Sequence, residues 1–115
     1  MTADRQKTRD AAARVVAVCD VIAQIVSQGE QHFLDDIQAQ WAAEMGLIRI
    51  GEAVAKIPTP VRERFGGQPW RQIIDMRNFA ARQYDDLDPH RVWRTITRDV
   101  PRLRDYLAGE VLPAL

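Results

Sequence analysis

The residues of this chain best suited to chemistry are Arg77 and Asn78, side by side on an otherwise apolar stretch, followed by Arg82 and Tyr84. A guanidinium is a permanent cation whose planar fork of donors matches phosphate oxygens. The asparagine amide adds a neutral donor and acceptor, and a tyrosine hydroxyl beside a polar turn can reach solvent or a partner. At about 100° per residue, Arg77, Ala81 and Tyr84 share one helix face while Asn78 and Arg82 share another. The two arginines then lie about 140° apart, so one helix can hardly fold both around one small phosphate. Two such helices brought together in a dimer can. Taken alone, the same residues also fit a blander picture of solvated arginines and a half-buried tyrosine at a helix end.

Other chemistries are poorly supplied. One cysteine and two histidines, His32 and His90, show no metal-ligand spacing, so neither a metal site nor a cofactor is expected. Gly66-Gly67 lacks the lysine and flanking strand of a phosphate loop. Ser27 is the only serine, and no Ser, His and Asp set can be built around it. His90 reads as a surface residue just inside a helix start, and His32 sits in a polar connection. Cys19 lies among Val15, Val16, Val18, Val21 and Ile22, which suggests a buried, reduced thiol in a cytoplasmic protein.

The elements that must position these residues are helices. At 115 residues, with 46% hydrophobic and 28% charged, the chain fits a single domain over residues 1–115 and neither a disordered tail nor a membrane protein. The polar stretch Met1 to Asp10 is unlike a secretory signal, and no apolar run approaches the roughly 18–20 residues that span a bilayer. Sixteen basic residues cancel sixteen acidic ones, so contact with nucleic acid would need a local patch. Only Lys7 and Lys56 are lysines; the arginine bias suits phosphate but equally follows from a GC-rich genome.

Helical spacing of Val15, Val18, Ile22 and Ile25 predicts a helix from about Arg5 to Gln28. A second apolar row, Ala12, Val16, Cys19, Ala23 and Val26, predicts that it packs on two sides, against the core and a second subunit. Gly29 ends it, and 30–36 is a partly helical connection. A second helix, about Ile37 to Ile57, carries the stripe Leu47, Ile50, Val54 and Ile57, flanked by Trp41, Met45 and Ile48. Gly46 and Gly51 inside it mark close helix–helix approaches. After Pro58 and Pro60 comes a short turn through Val61 to Phe65. Pro69 opens the third helix, which ends at Asp85-Asp86-Leu87. Asp88-Pro89 caps a fourth helix with Trp93, Ile96, Val100, Leu103 and Leu107 on one stripe. Pro101 predicts a kink or a restart capped by Asp99. The class is all-α, an up-and-down bundle of about four to five helices.

With these segments in place, the chain resembles the HepT-like toxins of the HEPN superfamily from about Trp41 to Leu107. The resemblance rests on Ile50-Gly51-Glu52-Ala53, on Pro69 to Ile74, on Arg77 to Asp88 and on Val92-Trp93. The family pattern is Arg-polar-x-x-x-His-x-Tyr. Arg77, Asn78 and Tyr84 match it, whereas Arg82 stands where the family has histidine. The resemblance implies a toxin-type, metal-independent ribonuclease that acts as a homodimer, with an RNA substrate and a nucleotidyltransferase-fold antitoxin. In some pairs that antitoxin adds AMP to the motif tyrosine, so Tyr84 is the implied acceptor. Arg82 cannot replace an imidazole as a proton carrier, which implies impaired cleavage. A catalytically silent protein that binds its antitoxin or RNA is the alternative, and a plain helical scaffold is a third.

Overall fold

The computed structural model describes the backbone of residues 2–82 and 88–115, with the side chains of 3–78 and 88–115. All the regular elements among them are helical: α1 (Thr2–Val26), α2 (Glu30–Asp35), α3 (Ile37–Ala55), α4 (Thr59–Arg64), α5 (Trp70–Arg82), α6 (Pro89–Arg94) and α7 (Val100–Tyr106). A π-helical turn, Thr95–Asp99, joins α6 to α7, and another, Leu107–Val111, follows α7 before the 3-10 turn Leu112–Ala114. The all-α expectation holds. None of the described helices is long and apolar enough to cross a membrane.

Local chemistry explains the element ends. Gly29, at φ 94, holds the left-handed conformation that separates α1 from α2 and that side-chain-bearing residues seldom adopt. Asp36 caps α3 by accepting from the backbone N–H groups of Gln38 and Ala39 at 2.9 and 3.4 Å, a contact typically worth ~1 kcal/mol. Asp88 accepts from His90 N–H at 2.9 Å, with Pro89 in the first turn of α6 as expected.

α3 lies between α1 and α5 and packs on both. Gly46 faces Ile22 and Val18 of α1, while Ala53 and Lys56 share a cleft with Lys7, Ala11 and Arg14, so α1 and α3 run antiparallel. Leu47, Ile50, Val54 and Ile57 of the predicted α3 stripe form the core with Ile96, Val100, Leu103 and Leu107 of the last helix, where Val92 is buried and the expected Trp93 is only partly buried. Phe33 of α2 is fully buried and its ring lies 5.4 Å from that of Trp93.

Two expectations are corrected. Asp99 is not a cap: it is helical itself (φ −77, ψ −40) and its side chain makes no capping bond. The chain passes Pro101 without restarting, because Val100 N–H reaches back to the Thr95 carbonyl. That wider π turn adapts the helix where proline offers no donor. On the second row of α1, Cys19, Ala23 and Val26 line a cleft with Ile96, Val100 and Pro101 of the same chain. Trp41 and Met45 do not flank the core; they are 65% and 50% exposed, with Ile37 and Val21 similarly uncovered.

Candidate functional site

The N-terminal end of α5 is anchored on both sides. Trp70 donates its indole N–H to the Phe65 carbonyl at 2.7 Å, and Ile73 N–H reaches the Pro69 carbonyl at 3.0 Å. The Tyr106 hydroxyl accepts from Gly67 N–H at 3.1 Å, and its ring stands 6.0 Å from that of Trp70. With Trp70 and Ile73 buried, α5 is held in one rotation about its axis.

That rotation sets Arg77 on α3. A Cβ placed on Gly51 would lie 2.8 Å from Arg77 Cβ and 3.1 Å from both Arg77 N and the Ile73 carbonyl. Glycine at 51 is therefore what allows the two backbones to meet at the arginine. Arg77 is partly buried and Asn78 is exposed. Neither makes a hydrogen bond or ion pair with another described residue. Arg82 is the last residue of α5. Helical backbone through that position keeps the separation of about 140° between the arginines. The Arg82 side chain and all of Tyr84 lie outside the described residues, as does the Asp85-Asp86-Leu87 turn.

The remaining candidates fall away on their surroundings. Burial, and secondarily the neighbouring Asp20 carboxylate, pushes the Cys19 thiol up to about 12. It stays protonated and is no nucleophile at neutral pH. His32 is an exposed partner of Asp36 at 3.3 Å, and His90 is exposed at the start of α6. Burial raises the Glu44 carboxyl above its ordinary range. Among the described residues no group of three His, Cys, Asp or Glu side chains could hold a metal ion. A cleft of about 340 Å³ beside Gln72, Met76, Asp99 and Arg102 contains no imidazole, thiol or phenol.

The model of the family described as "Ribonuclease HepT-like" matches residues 15–109, a span that includes Gly51 and Arg77. The chain belongs to that family. A protein of Thermococcus cleftensis named "Probable ribonuclease HepT" is 32% identical over 74 residues, covering 64% of this chain and 67% of the relative. A candidate RNase of Caldanaerobacter subterraneus is 35% identical over 73 residues, 64% of this chain and 65% of its own length. A Methanocaldococcus jannaschii protein, named as a gamma-glutamylcyclotransferase and candidate RNase, is 32% identical over 58 residues. This chain spans only 26% of that relative, and 61–67% of the others named as RNases. No solved structure matches it.

Sequence reasoning placed the HepT-like motif and marked Gly51 as a close approach. It did not foresee that the residue approached is Arg77. Two helices separated by a loop carry no local signal of which residues will touch.

Proposed function

We propose that this chain is the toxin component of a type VII-like toxin–antitoxin pair, a metal-independent endoribonuclease whose site is completed across a homodimer. The observation that carries this reading is Arg77, pinned on α3 by Gly51 and without an ion pair to any described residue, in a HepT-like chain. In the reaction, a 2′-hydroxyl attacks the adjacent phosphorus and gives up its proton. The departing 5′-oxygen gains one, and a 2′,3′-cyclic phosphate remains. Arg77 stabilises the charge on the phosphoryl oxygens, Asn78 adds an amide hydrogen bond, and position 82 is where a proton carrier belongs. Guanidinium at 82 stays protonated and adds a second cation instead, which favours binding over cleavage. Release of cyclic-phosphate ends by the Arg82→His protein in chelator tests this reading. An Arg82→His protein that folds and dimerises but leaves every RNA intact supports the second reading instead, a silent binder of antitoxin or RNA, which Arg82 itself favours.

The dimer places two α5 helices at one site. Its surface is the outer face of α3, where Ile37, Trp41 and Met45 recur every four residues and lie 54%, 65% and 50% exposed, beside Val21 of α1 at 56%. Single exposed apolar residues are ordinary, but an aligned row marks a contact surface. The unaltered chain is expected to sediment as a dimer at micromolar concentration. Trp41→Asp with Met45→Asp should give a folded monomer, because neither residue is in the core. A dimer that survives both changes removes this surface from consideration.

The partner of this reading is a nucleotidyltransferase-type antitoxin, with Tyr84 as the AMP acceptor. Tyr106 competes poorly, since its hydroxyl already engages Gly67 N–H and its ring packs beside Trp70. Mass spectrometry after co-expression is expected to find the added AMP on Tyr84. The same mass on Tyr84→Phe protein would assign the modification elsewhere.

A further inference from the structure

The chain's two lysines, 49 positions apart in a sequence whose other basic residues are all arginine, come together in the fold. Lys7 and Arg14 stand two turns apart on one face of α1, and Lys56 follows the last residue of α3. The three line one cleft of about 120 Å³ with Asp10, over a floor made by Ala11 and Ala53. Both alanines are buried, at 6% and 3% exposure, while the three cations and Asp10 are exposed. Small floor residues let the long side chains converge without filling the space between them. Asp10 already accepts from Gln6 Nε2 at 2.8 Å, and no ion pair between described residues neutralises Lys7, Arg14 or Lys56. Three cations against one engaged carboxylate make a local positive site on a chain whose formal net charge is zero.

We propose that this cleft holds a backbone phosphate of the RNA strand, at a position separate from Arg77. The proposal rests on the ribonuclease reading and names a second contact for its substrate. The two sites share α3: Gly51 supports Arg77, while Ala53 and Lys56 belong to the cleft. They are thus separated by roughly one helix diameter, ~10 Å, a span that a single strand bridges. Clustered cations contact phosphates irrespective of base sequence, so the cleft contributes grip and register rather than specificity.

The test is the salt dependence of binding between the full chain and a fluorescent single-stranded RNA, followed by anisotropy. For single strands the log–log slope changes by about 0.7 for each phosphate contact. Lys7→Gln with Lys56→Gln is expected to flatten the slope by about 0.7, the share of one phosphate, and to weaken binding several-fold at physiological salt. Lys7→Arg with Lys56→Arg should keep both values. Arg5→Gln with Arg9→Gln, exposed on another face of α1, should bind like the unaltered chain. Unchanged slope in the glutamine variant overturns the cleft while leaving the ribonuclease reading in place. A cleft that responds to inorganic phosphate but does not contribute to RNA binding is a free-anion site, which also overturns the proposal. Failure of the unaltered chain to bind any RNA removes the ribonuclease reading and the cleft with it.

Discussion

Arg82→His is expected to raise RNA cleavage by about 10²–10⁴-fold, the usual contribution of a positioned general acid or base. The change exchanges a group that never releases its proton for one that titrates near neutrality. The gain should persist in chelator, because imidazole and guanidinium supply proton transfer and charge stabilisation without a metal. It should fade as pH falls through about 6.5, the ordinary imidazole value, since the base is then already protonated. Growth of cells expressing the variant should slow correspondingly. Adding Arg77→Ala should cancel about 10²–10³ of the gain, the usual effect of deleting one donor that stabilises developing negative charge. Cleavage that survives this second change would show that Arg77 does not hold the phosphate.

Gly51→Ala is expected to be costly although the new side chain is a single methyl. Its Cβ would stand 2.8 Å from Arg77 Cβ and 3.1 Å from two backbone atoms of α5. Neither α3 nor α5 can swing such atoms aside as it could a side-chain tip, so the helices must part. Overpacking of this kind costs roughly 1–3 kcal/mol. For a domain of this size that lowers Tm by several degrees, at about 4–8 °C for each kcal/mol. In the Arg82→His background, cleavage should also fall by about 10²-fold well below Tm, because a shift near 1 Å misplaces the phosphate clamp. Gly109→Ala is the control, since nothing lies within 4 Å of a Cβ there. Equal Tm values for the two alanine proteins would show that the Gly51 contact relaxes without strain.

The motif positions were legible because they depend on type and spacing along one helix. Arg77 and Asn78 occupy consecutive positions of a helix that does form through Arg82. Asp88-Pro89 gives the expected cap because a cap is made by residues two apart. Asp99-Pro101 looked equally local but was misread. A proline needs no restart when the preceding turn widens, and this wider turn is packed through Ile96 and Val100 into the core.

By itself, then, the sequence determined that this protein is helical, roughly where its helices run, which glycines allow close packing and which family's motif it carries. Each of these follows from residues within a few turns of one another. The tertiary structure alone decided which partner each face meets. α3 is apolar around much of its circumference, so periodicity could not show that Leu47 faces inward while Trp41 and Met45 face solvent. Cys19, Ala23 and Val26 of α1 met Ile96, Val100 and Pro101 of the last helix. Gly51 met Arg77, and Lys7 met Lys56. The physical reason is common to all four. A helical pattern defines directions only about its own axis, whereas the rotation and neighbours of each axis are set by packing among segments distant in sequence.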